Sequence, residues 1–278
     1  MTGQLFAKAL DTTNFMKEGP SDVITTLQKI LIAMPTFDNA GTVLQLMLQL
    51  SKNDLHLLVV DDGSEVCVEN LVSSELGHKI TVLRHDKNMG KGAALRTAFQ
   101  WARAHGYTHV VTVDSDGQHF AKDVLRLAEV SRQHPDLLII GRRDMDAPGA
   151  GIVPQSSRFG RDFSDFWISM ETGKHVSDSQ SGLRCYPVEN LPDHACWSVR
   201  YDFEVEIVTR WLWLGGKTKS INIDVSYAKN RISSFKPLLD NTRITWLHIK
   251  LCLLRILGAG VWFNKAPDDS PTTCVGWT

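Results

Sequence analysis

Two carboxylates, Asp114 and Asp116, stand one residue apart at the end of the apolar run His109-Val110-Val111-Thr112-Val113, and Gly117 and Gln118 follow them. On an extended chain, positions i and i+2 share a face, and a turn at Gly117 can bring both acids to one point. Two hard carboxylate oxygens and an amide carbonyl suit Mg²⁺ or Mn²⁺, ions that favour oxygen and often hold a substrate phosphate as well. The same short run also makes an ordinary turn that caps a helix. A second acidic turn, Asp61-Asp62-Gly63-Ser64, ends another apolar run. It too can be only a turn, or Asp62 can accept hydrogen bonds from a base or ribose. Asn88-Met89-Gly90-Lys91-Gly92-Ala93 departs from the P-loop pattern in its glycine spacing and in Ala93, which stands where a hydroxyl residue belongs. That excludes a P-loop kinase or ATPase. Its glycines and Lys91 still suit backbone approach to a diphosphate at a helix start; otherwise Lys91 is a solvated lysine.

These clusters need a frame to hold them. Short continuous apolar runs predict strands over 29–34, stopped by Pro35, and over 56–60, 80–83, 109–113 and 137–140. Helical spacing of apolar residues predicts helices over 39–50, with Asn39 as cap, and over 91–105 and 123–133. Strand and helix alternate, and strands apolar on both faces belong to a covered parallel sheet. The fold class is therefore α/β, doubly wound. Ligands of such sheets bind beyond the carboxyl ends of the strands. Pro35-Thr36, Asp61-Asp62-Gly63-Ser64 and Asp114-Ser115-Asp116 all fall at such ends, so three polar clusters converge on one rim. The second half is less regular: helices are predicted over 159–170 and 201–215, a polar turn at Asp178-Ser179-Gln180-Ser181-Gly182, and a strand over 220–227. Glu206 reads as an exposed helix carboxylate and His119 as a surface histidine.

The chain of 278 residues is long enough for one large domain or two small ones. A net charge of -1 argues against a nucleic-acid partner. The five cysteines are scattered, with no CxxC pair, so neither a zinc site nor a disulfide framework is expected, and a reducing compartment is the simpler reading. The first residues lack a basic start followed by an apolar run, so no secretion signal is expected. No uncharged apolar stretch of ~18 residues exists to span a bilayer. Residues 238–258 are apolar but carry Arg243, His248, Lys250 and Arg255. They fit an amphipathic helix in a membrane interface, or a core-packing or dimer-forming helix with a wet charged face.

In order along the chain, Pro35-Thr36-Phe37-Asp38-Asn39, Asp61-Asp62-Gly63-Ser64, Asn88 to Ala93, Asp114 to Gln118, Gly141-Arg142-Arg143 and Asp178 to Gly182 together resemble the family 2 glycosyltransferases of the GT-A fold, nearest the dolichol-phosphate mannosyltransferase-like branch. The resemblance spans roughly residues 29 to 240. It implies a Rossmann-like, mostly parallel sheet with helices on both faces. It implies three parts: a lead-in (1–28), a GT-A domain (29–236) and a C-terminal membrane-associating segment (237–278). It also implies an inverting, metal-dependent transfer of a sugar from a nucleotide-diphospho-sugar to a lipid or lipid-linked acceptor, on the cytoplasmic face of the plasma membrane with peripheral attachment. Pro35, Thr36, Asp61 and Asp62 would line the nucleotide pocket. Asp114, Asp116 and Gln118 would hold Mg²⁺ or Mn²⁺, with Lys91 neutralising the leaving diphosphate. Asp178 would be the general base for a hydroxyl acceptor, whereas a polyprenyl phosphate acceptor needs cations instead. Arg142 and Arg158 fall where relatives hold that phosphate, Arg231 on a loop closing over the donor phosphates, and Glu204 at a catalytic position. The loop Arg231-Ile232-Ser233-Ser234-Phe235 lacks the lysine of the phosphate-accepting pattern, and the Asp178 turn lacks its usual threonine; the donor half of the pattern is intact. A nucleotidyltransferase would carry a glycine- and basic-rich loop after the first strand, where Pro35 to Asn39 stand instead. A non-catalytic scaffold would carry damaged motifs, and Asp114, Asp116 and Asp178 are all present.

Overall fold

The apolar runs become strands whose alternate side chains pack in opposite directions. In β1 (Ile30–Thr36), Leu31 and Ala33 enter one core and Ile30, Ile32 and Met34 the other. The computed structural model describes residues 28–72, 79–147, 150–151, 153–227 and 236–258. Arg231, and the expected lead-in apart from Gln28, lie outside these residues. The other strands are β2 (His56–Asp61), β3 (Ile80–Arg84), β4 (His109–Thr112), β5 (Leu137–Arg143), β6 (Arg184–Pro187) and β7 (Lys217–Ile223), ordered 3-2-1-4-6-5-7 in one sheet. All described strands run parallel except β6, which is antiparallel to β4 and β5 between them.

Helices cover both faces. Helix α1 (Ala40–Leu50) and α3 (Ala121–Gln133) close one core, through Val43, Leu46, Met47, Leu50, Val124 and Leu127. Helix α2 (Lys91–Ala104) and α5 (Phe203–Trp213) close the other, through Leu95, Phe99, Phe203 and Ile207. Helices α4 (Gln155–Thr172) and α6 (Pro237–Ile256) pack together outside that second core, which takes in Ile168, Ile244, Leu247 and Leu251. Truncating such a fully buried leucine to alanine costs about 2–5 kcal/mol.

The sequence reading departs from this structure at several points. Pro35 does not stop β1, which continues to Thr36 opposite Asp61. The carbonyl of Ala33 accepts from Val113 on the β4 side, so Pro35 two residues on faces that side too, just beyond the last β1–β4 pair, Ala33 with Thr112. Its missing N–H costs no ladder bond there. Asn39 precedes α1 but caps nothing; its amide donates to Ser115 Oγ at 3.3 Å, tying the α1 start to the acidic turn. The strand expected over 220–227 lies at Lys217–Ile223, and only isolated bridges at Val225 and Tyr227 continue it.

Candidate active site

The turn after β2 is held by its two acids. Asp61 is fully buried and accepts from the Ser64 and Val68 N–H groups and from Arg84 at 2.5 Å. Burial pushes its carboxyl up, the Ser64 hydrogen bonds outweigh that, and its pKa ends below the usual value. Asp62 is also buried; it accepts from the Met89 and Gly90 N–H groups at 2.9 and 2.7 Å and contacts His85 Nδ1 at 2.7 Å. Asp62 thus fixes the loop before α2. Gly90 there has φ 105°, and an added Cβ would lie 2.5 Å from the Val199 carbonyl oxygen. At the end of β1, Pro35 and Thr36 are buried. Thr36 Oγ1 and the nearby Asn39 Oδ1 are buried with no hydrogen-bond partner among the described residues.

Lys91 opens α2 and is not a solvated lysine. Its side chain is 12% exposed, and Nζ lies 2.6 Å from both Asp114 Oδ1 and Glu204 Oε2. Burial alone would favour the neutral amine, but the two carboxylates outweigh it, and the ammonium pKa is raised. Burial pushes Asp114 up, yet Lys91 pulls it below the usual carboxylate range. Glu204, in the first turn of α5, is raised by burial, with Lys91 opposing. Its Oε1 is buried without a partner among the described residues. Burial also pushes the neighbouring Tyr201 phenol up to about 12, so it stays protonated. Asp116 accepts from the Gln118 backbone N–H at 3.1 Å and from Gln118 Nε2 at 2.6 Å. The sheet therefore brings Asp114, Asp116, Gln118, Lys91 and Glu204 to one rim.

On the other side of that rim, Asp178 has φ 61°, a left-handed backbone rare for a residue other than glycine. Its N–H donates to Asp165 Oδ2 at 2.8 Å. Its carboxylate is fully buried and grips Arg143: Nε to Oδ2 at 2.9 Å, Nη2 to Oδ1 at 2.7 Å, and the Arg143 backbone N–H to Oδ2 at 2.8 Å. Burial would raise its pKa, but Arg143 holds it below the usual range. The general base expected at Asp178 is thus a paired, buried anion. Arg142 is exposed, and Arg143, on the opposite face of β5, is the arginine turned to Asp178. Arg158 on α4 is partly exposed, with Nη2 donating to the Met145 carbonyl at 2.8 Å and Nη1 2.9 Å from exposed Asp146. Arg161, one turn on, reaches Met145 Sδ at 3.6 Å.

Sequence reasoning missed Arg143, Arg161 and the burial of Glu206 and His119. Glu206 is not an exposed helix carboxylate but fully buried, accepting from the Trp197 and Ser198 N–H groups and from Arg210 Nε at 2.7 Å. His119 is 6% exposed rather than on the surface. Burial lowers its pKa despite Asp114 and Asp116 nearby, so the imidazole is neutral, and Nδ1 has no partner among the described residues. The one signal for Arg143 was strand alternation counted from buried Ile139, which puts Gly141 and Arg143 on its face.

Among the described residues, no three His, Cys, Asp or Glu side chains form a ready cation cage. The donor set still fits the ion that the family pattern implies. Mg²⁺ is usually bound through one or two carboxylates, and substrate phosphates and waters complete its shell. Asp114, Asp116 and the Gln118 carbonyl are such a partial set, all oxygen.

The sequence profile of glycosyl transferase family 2 matches residues 31–191. The chain is 29% identical over 208 residues to an uncharacterized protein of Methanocaldococcus jannaschii, covering 74% of this chain and 84% of that one. It is 24% identical over 241 residues to the polyprenol monophosphomannose synthase of Mycolicibacterium smegmatis, covering 81% and 87%. To the undecaprenyl-phosphate mannosyltransferase of Micrococcus luteus it is 26% identical over 187 residues, covering 65% and 74%. Among solved structures, S. aureus TarS 1-349 in complex with UDP-GlcNAc superposes with a TM-score of 0.54 at 19% identity, over 83% of this chain and 67% of that one, which is a likeness of GT-A fold. With the profile covering more than half of the chain, and the acidic turns and Lys91 meeting at one sheet rim, the protein belongs to glycosyl transferase family 2 and is a glycosyltransferase.

Proposed function

We infer that the protein transfers a sugar from a nucleotide-diphospho-sugar to a polyprenyl phosphate. The observation that carries this reading is the contact of Lys91 with Asp114, whose turn also holds the Asp116–Gln118 pair, at the N-terminus of a helix whose entry loop is fixed by Asp62. That end of a helix favours anions. Thr36 and Asn39 offer buried polar atoms with unmet hydrogen bonds at the nucleotide end, which a ligand satisfies. When bound, Mg²⁺ or Mn²⁺ held by Asp114, Asp116 and Gln118 supplies positive charge against the diphosphate. Lys91 adds to it, and Arg231 is proposed to do so from the loop outside the described residues.

In the proposed transfer an acceptor oxygen bonds to the anomeric carbon on the face opposite the diphosphate. The bond from that carbon to the diphosphate oxygen breaks, and its electron pair leaves with the nucleoside diphosphate. A phosphate acceptor is already an anion and loses no proton in the step. The engaged state of Asp178 supports this choice over a hydroxyl acceptor, because a base must be free to take a proton. Asp178 instead orients Arg143. Arg158 and Arg161, whose ion-pair partners Asp146 and Asp162 are exposed, are proposed to face the acceptor phosphate. The two relatives named for polyprenyl and undecaprenyl phosphates agree with that chemistry.

A lipid acceptor also places the protein at a membrane surface. No described helix is long and apolar enough to cross a bilayer. Helix α6 instead exposes Leu238, Trp246, Ile249, Leu253 and Ile256, with a shallow groove along Leu238, Thr242, Trp246 and Ile249, and α4 beside it exposes Phe159, Phe166 and Met170. Arg243, Lys250 and Arg255 on α6 supply charge toward anionic head groups. We place this surface on the cytoplasmic leaflet as a peripheral contact.

The test is thermal stabilisation by a panel of nucleotide sugars, with and without Mn²⁺, for wild type and Asp116→Ala. A ligand at a hundred times its Kd adds about 2.7 kcal/mol to a folded state that alone binds it. A metal-dependent rise with one donor, absent in Asp116→Ala, is expected. No rise with any donor in a folded sample overturns the reading.

A further inference from the structure

The geometry points to Glu204 as a positioning residue that sets divalent-cation affinity by competing with Asp114 for Lys91; this deepens the donor-site reading above and rests on it. Lys91 Nζ stands at 2.6 Å from each carboxylate, shared between the first acid of the cation motif and an acid delivered by α5. The three groups are largely out of solvent: side-chain exposures are 12% for Lys91, 5% for Glu204 and 26% for Asp114. Asp114 is backed closely by Gly182, where an added Cβ would collide with both carboxylate oxygens. A cation reaching Asp114 must therefore share that carboxylate with Lys91 or take it from Lys91.

Glu204 is built to receive the lysine. An ammonium has three N–H donors and the two carboxylates use two. Glu204 Oε2 holds one, while Oε1 is buried with no partner among the described residues, so Glu204 has unused capacity for the same ammonium. Its backbone is fixed by fully buried Arg184, whose Nη1 donates to the Glu204 carbonyl at 2.7 Å. Lys91 is fixed in turn by Gly90 and Gly92. An added Cβ at Gly92 would collide with Phe203 Cβ, next to Glu204, so α2 and α5 meet closely where the pair forms. No proton moves: the lysine stays charged and changes only how it divides itself between two anions. With Glu204 neutral, Lys91 settles on Asp114 and resists the incoming cation. With Lys91 absent, Asp114 is open to it.

The experiment is a Mn²⁺ titration of the whole chain, with Mn²⁺ alone as probe, followed by the loss of the free-ion paramagnetic resonance signal. Glu204→Gln keeps the shape and removes the charge. It is expected to weaken Mn²⁺ binding about tenfold, a usual coupling for charges in contact. Lys91→Met is expected to tighten it, and in the Lys91→Met background Glu204→Gln is expected to cause no weakening. A merely structural Glu204 would weaken binding with or without Lys91, and that result overturns the inference. Unchanged Mn²⁺ affinity in Glu204→Gln also overturns it while leaving the donor site standing. Wild type that binds no Mn²⁺ overturns the cation site itself and the inference with it. Should Glu204→Gln lose its near-ultraviolet circular dichroism, Lys91→Met alone decides: tighter binding supports the competition, unchanged or weaker binding overturns it.

Discussion

Asp178 joins two constraints in one residue. Its backbone is left-handed and its carboxylate is the counter-charge of Arg143, in a pair with side-chain exposures of 0% and 11%. Removing one partner strands a buried charge, which typically costs about 3–5 kcal/mol, so Arg143→Ala is expected to lower the unfolding free energy in guanidinium by that scale. Asparagine tolerates the left-handed region, so Asp178→Asn alters charge with little backbone strain. Because Arg143 depresses the folded pKa of Asp178, the stability from its charge is present above the ordinary value of 3.8 and is lost as pH falls below it. The gap between wild type and Asp178→Asn in guanidinium unfolding is therefore expected to be constant from pH 7 to 5 and to close below pH 3.8. A gap that widens in acid would contradict the pairing. Asp178 was legible as a site residue from its motif, but its role was not, since a sequence does not show which arginine a carboxylate meets.

The βα units carrying the site were plain in the chain. The runs ending at Asp61 and Thr112 and the helix opening at Lys91 lie within a residue or two of where they were read. Strand β6 was not legible: Arg184-Cys185-Tyr186-Pro187 is short, contains a buried arginine and ends in proline, so neither alternation nor an apolar run marks it. Its pairing rests on partners distant in sequence, β4 and β5. Yet β6 follows the Gly182 turn that presses on Asp114. Gly182→Ala is expected to displace the Asp114 carboxylate and abolish the Mn²⁺-dependent stabilisation by donor. Far-ultraviolet circular dichroism should stay near wild type, because the collision is with a side chain rather than the ladder. Unaltered metal-dependent stabilisation would show that Asp114 is not held there.

At the scale of the whole molecule, α6 has a buried side and an exposed side. Ile244, Leu247 and Leu251 face the protein, and His248 meets buried Glu171 at 2.8 Å, while Trp246, Leu253 and Ile256 face outward. The core-packing reading of this helix in the sequence describes its inner side, and the interfacial reading is the proposal for its exposed side. Deleting it would open the core, so point changes test the outer side cleanly. Leu253→Ser with Ile256→Ser is expected to abolish flotation with anionic vesicles while leaving the melting temperature within a few degrees, and wild-type flotation is expected to weaken as salt screens the basic residues. Flotation unaffected by the double substitution would reject this surface.

The antiparallel position of β6 also governs how the protein is made. Strands β1 to β4 find their other partners among themselves, but the outer edge of β4, His109–Thr112, has no partner until Arg184–Pro187 has been synthesised. More than seventy residues separate the two segments, roughly 4 to 14 seconds of synthesis at about 5–20 residues per second. During that interval the half of the molecule holding both acidic turns presents one unpaired edge of an apolar strand, the kind of edge that recruits other chains. Completing the sheet therefore depends on the late arrival of β6, the same segment that brings Gly182 against Asp114, and so joins the end of aggregation risk to the assembly of the site.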